Sequence, residues 1–126
     1  MKGLLLFFAI GLSLVAVSSV SAQSTLALQE KCAEGAKRWL EDHDSKGIYG
    51  HSSHYNRRLD KCFIRVNYLF LPEESTAVGL EDAFEWRSIG SFFQTKDGTL
   101  ISCSVGSNKC SSRTEFEALI KPYMEE

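Results

Sequence analysis

The sequence contains none of the short motifs that mark the common catalytic and cofactor sites. It has no G-x-S-x-G turn for a serine nucleophile, no G-x-G-x-x-G or G-x-x-x-x-G-K loop for a nucleotide, and no H-E-x-x-H pattern for zinc. It also lacks a C-x-x-C pair, which structural zinc sites usually show, and C-x-x-C-H, which attaches haem. These absences argue against nucleotide-dependent, haem and zinc enzymes, and we expect no cofactor.

Dense positive charge is scarce as well. Without Lys2, which precedes the N-terminal apolar run, thirteen Lys and Arg residues remain against sixteen Asp and Glu, a net charge of −3. The basic clusters, Lys37-Arg38 and Arg57-Arg58 with Lys61, are typical of solvated surface. Because binding to a phosphate backbone needs clustered positive charge, nucleic acid is not an expected partner.

The long apolar run lies at the N-terminus. Lys2 precedes it, the run extends over residues 4–17, and Val20-Ser21-Ala22 has the small residues of a cleavage signal. The run is shorter than the roughly 20 residues that a membrane-spanning helix needs, although an uncleaved anchor is the alternative. We therefore predict a signal peptide over residues 1–22, cleaved after Ala22, and one domain over residues 23–126. The mature protein would be secreted or periplasmic, with no membrane span.

Four cysteines follow the predicted leader, at positions Cys32, Cys62, Cys103 and Cys110. An even number in a small exported domain indicates disulfides, and three pairings are possible. We favour Cys32–Cys62, which would tie the first helix to the sheet, and Cys103–Cys110, which closes a short loop containing Gly106. A four-cysteine zinc site is disfavoured by the spacing.

Apolar periodicity predicts a helix near each end of the mature chain. In residues 25–43 the apolar side chains recur at steps of three and four: Leu28, Cys32, Ala36, Trp39 and Leu40. The last segment opens with Ser112 and Glu115, the spacing of a capping box. Because Pro122 is poorly accommodated inside a helix, we expect that helix to fray or kink near Ile120.

Between the helices, alternation of apolar and polar residues predicts about five strands. They cover residues 48–56, 61–71, 78–87, 89–95 and 100–105. The segment 78–87 fits a helix face nearly as well, and its aromatic content favours a strand. Short links predict an antiparallel meander covered on one face by both helices. The expected fold is therefore α+β: a helix, an antiparallel sheet of about five strands, and a helix, tied by two disulfides.

His51 and His54 are the first candidates for a chemical site. Imidazoles bind zinc or copper, and His43 or Asp44 could supply a further ligand. Residues three apart on a strand point to opposite faces, so this pair converges only if the segment bends. A histidine-based metal site is therefore an alternative, and we assign no metal ligand.

A second possibility is an acid/base group made by His54, Tyr55 and Asp60, or a small hydrolase that uses His54, Tyr55 and Asp82. The simpler interpretation is a polar hairpin whose side chains satisfy the turn backbone. Asp82 falls among apolar neighbours, where a carboxylate needs a partner such as Arg65 or Arg87, or it marks the end of an element.

The segment from Ser53 to Phe63, SHYNRRLDKCF, resembles a group of small exported bacterial proteins that have no assigned activity. The pieces shared with that group are Cys32, an HYN-x4-KCF hairpin, the DAFE stretch from Asp82, the two later cysteines, and a closing Tyr-Met-Glu. The resemblance implies a bacterial, exported protein and supplies no mechanism.

Our leading hypothesis is a non-enzymatic binding or interaction protein whose partner is an unknown envelope or extracellular protein or small molecule. Its candidate ligand-binding residues are His51, His54, Tyr55 and Asp82.

Overall fold

A computed structural model describes residues 18–43 and 46–126 of the chain. Its elements are α1 (Ser18–Asp42), β1 (Ile48–Asn56), β2 (Lys61–Phe70), β3 (Ser75–Asp82), β4 (Arg87–Gln94), β5 (Leu100–Val105), β6 (Asn108–Lys109) and α2 (Arg113–Met124). Residues 1–17, most of the predicted signal peptide, lie outside the described residues. Among the described helices, none is long and apolar enough to cross a membrane. The predicted α+β fold is confirmed, with β6 as an additional short strand.

The six strands form one antiparallel sheet in sequence order, β1 to β6. Each strand is joined to the next by a tight connection, so the sheet is the predicted meander. In the first hairpin, Asn56 pairs with Lys61 and Tyr55 with Cys62. This register places alternate side chains of β2 on opposite faces of the sheet.

The two helices pack on opposite faces of the sheet, so the expectation that both cover one face is wrong. Cys62, Ile64 and Val66 of β2 form a core with α1, through residues such as Trp39. Phe63 points the other way and packs with Phe116 of α2. Both faces of β2 are therefore buried at its centre, because each receives a helix. We call these two sides the α1 face and the α2 face.

The sequence favoured a single strand over residues 78–87, and the structure shows that this prediction is wrong. β3 ends at Asp82, residues 83–86 form a turn, and β4 begins at Arg87. Phe84 leaves the sheet and lies over Gly35 of α1, where an added Cβ would be 2.6 Å from the ring. Phe84 and Trp86 are spaced as alternating strand residues would be. In the structure, Phe84 packs against α1 and Trp86 contacts His43 just after α1.

Helix α2 begins as predicted and ends later than predicted. The Glu115 amide donates to Ser112 Oγ at 3.1 Å, and the Glu115 carboxylate accepts from the Ser111 amide at 2.7 Å. The helix continues through Pro122 to Met124 instead of fraying near Ile120. Proline removes one intrahelical hydrogen bond. Packing of Tyr123 edge-to-face on Phe63, at 5.2 Å between ring centroids, holds the final turn in place.

Both predicted disulfides are confirmed. Cys32 and Cys62 join α1 to β2 with their Cα atoms 5.3 Å apart, and the sulfurs are fully buried in the core. Cys103 and Cys110 join β5 to the segment before α2, with a Cα separation of 5.0 Å. The first bond spans 30 residues of sequence and the second spans 7.

We expect the C32A/C62A variant to lose about 3–4 kcal/mol of unfolding free energy and C103A/C110A about 2–3 kcal/mol, because a longer closed loop restrains the unfolded chain more. Removing the first pair also opens a small cavity in the α1 core. Urea unfolding of both variants beside the parent protein measures the difference. Equal losses, or a larger loss for the second pair, would contradict this ranking.

Candidate functional site

The end of β1 lies where the hairpin and both helices meet. The backbone of Tyr55 forms two hydrogen bonds with the side chain of Gln29 in α1. The Tyr55 amide donates to Gln29 Oε1 and Gln29 Nε2 donates to the Tyr55 carbonyl, each at 2.9 Å. The glutamine amide therefore occupies the free edge of β1 as a further strand would, and fixes α1 against it.

The side chain of Asn56 joins the end of β1 to α2. Its side chain is fully buried, and Nδ2 donates to the carbonyls of Pro122 at 2.8 Å and Tyr123 at 3.2 Å. Its Oδ1 accepts from the amide of Leu59 in the β1–β2 turn at 2.9 Å. One side chain thus satisfies the turn and two of the carbonyls that a helix end leaves without intrahelical partners.

His54 points to the α2 face, while the neighbouring Tyr55 side chain joins the α1 core. The His54 Nε2 atom contacts the backbone carbonyl of Glu126. Because a carbonyl oxygen only accepts hydrogen bonds, Nε2 is the donor in this contact. His54 is therefore oriented by the chain segment that follows α2.

His51 and His54 do not form a metal site. Their partners across the sheet are Val66 and Phe63, which face opposite sides, so the two imidazoles lie on opposite faces. His43 stacks on Trp39 at the end of α1, with ring centroids 3.9 Å apart, and Asp44 lies outside the described residues. Within the described ranges, no group of three or more His, Cys, Asp or Glu side chains could hold a metal ion.

Tyr55 and Asp60 are brought together, since the Tyr55 hydroxyl donates to Asp60 Oδ1 across the hairpin. This hydrogen bond to Asp60 is the main cause that raises the pKa of Tyr55 above its usual value. The phenol therefore stays protonated at neutral pH and acts as a donor. Asp60 itself adopts a positive φ of 53°, which suits the turn between β1 and β2.

Asp82 is buried, and its carboxylate is engaged within the protein. Oδ1 accepts from the amides of Phe84 and Glu85, each at 3.0 Å, and Oδ2 lies 3.2 Å from Lys61 Nζ. The expected partner, Arg65 or Arg87, is replaced by Lys61, whose pKa is raised by hydrogen bonds to Glu85 and Asp82. Asp82 ends β3 and shapes the turn that follows, which was the simpler interpretation.

The proposed His/Tyr/Asp group does not converge in one cleft. His54 and Asp82 lie on the same face, each paired with Phe63, so a buried phenyl ring stands between them. Tyr55 lies on the other face. Of the candidate residues, His54 borders a cavity.

That cavity is a groove of about 530 Å³ between β1 and α2, which we call the β1–α2 groove. Its sheet side consists of Ser52, Ser53, His54 and Arg65, and its helix side includes Glu117, Lys121 and Met124. The Nη1 and Nη2 atoms of Arg65 donate to the two carboxylate oxygens of Glu117, each at 2.6 Å. This two-point ion pair joins β2 to α2 across the floor of the groove.

The charged groups around the groove are paired with one another. Arg113 approaches Glu117 at 3.6 Å in addition to Arg65, and Lys121 lies 3.7 Å from Glu125. The Ser52 hydroxyl and the His54 imidazole, which point to the same face as Arg65 and Phe63, add further polar groups to the lining. The groove therefore offers hydrogen bonds and little net charge.

Sequence reasoning found His54 and missed Ser52, Arg65 and Glu117 as groove residues. Strand alternation indicates that Arg65 faces away from the apolar side of β2. Its pairing with Glu117 depends on where α2 lies, and no local pattern reports that position.

Comparison with known proteins provides no relative. No protein-family model matches the chain, and neither does any curated protein or solved structure. A function for this protein has to follow from its own geometry.

We expect Asn56→Ala to lower the free energy of unfolding by about 1–3 kcal/mol, because it leaves buried groups in the turn and at the end of α2 without partners. Asn56→Asp keeps the acceptor for Leu59 and loses the donors, so it should destabilise at least as much. Chemical denaturation measures both variants. Asn108→Ala, at an exposed position in β6, is the matched control and should change stability by about 0.5 kcal/mol or less. A fully stable Asn56→Asp protein would contradict the role of the two carbonyl bonds.

Proposed function

We propose that the chain is an exported, non-enzymatic binding protein that holds a small, neutral, polar molecule in the β1–α2 groove. The observation that carries this proposal is the groove itself: about 530 Å³, bordered by Ser52, His54 and the Arg65–Glu117 pair. Cavities of roughly 300–1,000 Å³ are the usual size for small-molecule sites. The groove is thus large enough for a ligand of a few rings or a short chain.

The pairing of charges favours a neutral ligand. An anionic ligand at Arg65 would have to displace Glu117 from two short hydrogen bonds, and a cationic ligand at Glu117 would have to displace Arg65 and Arg113. Breaking a partly buried pair leaves a charge without its partner, which is costly. A neutral molecule with hydroxyl or amide groups can instead bond Ser52 and His54 without breaking these pairs.

Binding is favoured over catalysis because the acid/base candidates are occupied. Asp82 bonds two backbone amides and Lys61. Tyr55 is held by Asp60 on the other face of the sheet. His54 is left in the groove without a carboxylate or nucleophile from the predicted set, and general acid–base catalysis needs such groups within about 3 Å.

Export is supported by two observations. The N-terminus has the pattern of a signal peptide, and the four cysteines form two disulfides. Disulfides persist in oxidising compartments, so we propose a secreted or periplasmic location.

The test is a ligand screen by saturation-transfer NMR, with neutral sugars and polyols beside their phosphorylated and amino counterparts. We expect a neutral member to bind, and His54→Ala and Ser52→Val each to weaken binding by about fivefold or more, since each removes a hydrogen bond. His51→Ala is the matched control, because it makes the same change on the opposite face and should leave the affinity unchanged.

Preference for the charged counterparts would overturn the assignment of a neutral ligand. Equal loss of binding in the His51→Ala and His54→Ala proteins would place the ligand elsewhere. Turnover of a hydrolase substrate that depends on His54 would contradict the non-enzymatic role.

A further inference from the structure

A second cavity, of about 410 Å³, lies where the β1–β2 turn, the start of β4, the β5–β6 turn and the end of α2 meet. Phe63, Ile89 and Tyr123 of its lining belong to the core under α2 or pack on it, so the cavity opens on the α2 face. It shares no described lining residue with the β1–α2 groove. We call it the β2–β4 cavity.

Apolar side chains form the walls of the β2–β4 cavity. Phe63 is 1% exposed, and the ring of Tyr123 meets it edge-to-face. Leu59 and Ile89 are half-buried and pack on the same core. Small-molecule sites are usually lined by apolar and aromatic side chains with a few polar groups that fix the orientation of the ligand. These walls suit an aromatic ring, because rings pack favourably on the edges and faces of other rings.

The β5–β6 turn closes the cavity beside β4. Gly106 lines the cavity and adopts a positive φ of 57°, a conformation that favours glycine. Its amide donates to the carbonyl of Ile89 at 2.8 Å, which fastens the turn to β4. The walls are therefore held by the backbone of the sheet and by core packing, and the cavity is formed without a ligand.

The charged residues in the lining are both cations, Lys61 and Arg87. Lys61 Nζ lies 3.2 Å from Asp82 Oδ2 and 3.0 Å from Glu85 Oε1. Neither of these carboxylates belongs to the lining of the cavity. A ligand in the cavity would therefore border two cations and no carboxylate, whereas the β1–α2 groove has Glu117 in its lining.

Arg87 is the cation that a ligand can engage. Its Nη2 atom lies 3.9 Å from Glu85 Oε2, beyond hydrogen-bond distance, and no described residue accepts a hydrogen bond from its guanidinium group. The side chain is 63% exposed, so this ion pair contributes little. Arg65 in the groove, by contrast, donates two short hydrogen bonds to Glu117. A carboxylate can bond the two-pronged guanidinium of Arg87 without displacing a hydrogen-bonded partner.

We propose that the β2–β4 cavity binds a small aromatic monocarboxylate, whose ring packs against Phe63 and Tyr123 and whose carboxylate bonds Arg87. Lys61 adds electrostatic attraction from the same lining. A single negative charge fits better than two, because Glu85 already lies near both cations. The site is separate from the β1–α2 groove and takes a ligand of different chemistry, so it does not depend on the function proposed above.

The probe is 3-phenylpropanoate, titrated into the isotopically labelled intact protein and followed by the NMR shifts of the backbone amides. 3-Phenylpropanamide, in which a neutral amide replaces the carboxylate, separates recognition of charge from burial of the ring. Acetate tests the carboxylate without the ring. We expect saturable shifts at Ile89 and Gly106 with 3-phenylpropanoate, an affinity for the amide weaker by about tenfold, and no saturation with acetate.

Arg87→Gln should weaken the binding of 3-phenylpropanoate by about tenfold, because it removes the charge and the two-pronged donor. Arg38→Gln is the matched control: it makes the same change at an exposed position of α1 and should retain the parent affinity. Leu59→Ala shortens an apolar wall, so it should weaken the binding of both the acid and its amide by about threefold. Circular dichroism of each variant confirms that the fold is retained.

Absence of saturable binding by 3-phenylpropanoate would overturn the proposal, as would equal affinity for the neutral amide or undiminished binding by the Arg87→Gln protein. An equal loss of affinity in the Arg38→Gln protein would show attraction to the overall charge of the protein instead of to this cavity. Shifts centred on the amides of Ser52 and His54 would place the acid in the β1–α2 groove, and would contradict the neutral ligand proposed there as well.

Discussion

The buried amide of Asn56 is the interaction on which the rest of the structure depends. It joins the β1–β2 turn, through the amide of Leu59, to the carbonyls of Pro122 and Tyr123 at the end of α2. A buried amide has to be fully bonded, so the turn and the helix end can each take only the position that the other permits. The β1–α2 groove follows from this constraint, because the same contact sets the distance of α2 from β1.

Strand β2 fixes the sheet between the two helices. Its alternate side chains enter two separate cores, with Ile64 under α1 and Phe63 under α2. Cys62 fastens this strand to α1 through Cys32. The consequence is a sheet with one helix on each face. A single helix is too narrow to cover six strands, so the β1–α2 groove remains beside α2, and the contacts of α1 lie mainly on β1 and β2.

Much of the fold could be predicted from local pattern. The bounds of β1 and β5, the capping of α2 by Ser112 and both disulfides follow from periodicity, capping chemistry and cysteine spacing. The segment 78–87 was misread because Phe84 and Trp86 alternate as strand residues do. What ends the strand is Asp82, whose carboxylate binds the amides of the next turn. Likewise, the continuation of α2 past Pro122 depends on Phe63 and Asn56, which are distant in sequence.

The features of the candidate site also fall into those that local sequence predicts and those that depend on tertiary contacts. Sequence alone identified the crowded polar segment around His54 and the alternation that separates His51 from His54, since both are properties of a single strand. It also determined the balance of charge, the cysteine pairs that could form and the order of the elements. Only the tertiary structure decided which face each helix covers, that Lys61 neutralises Asp82 and that Arg65 meets Glu117. These are contacts between segments far apart in the chain, and their energies depend on distances that local propensity does not encode.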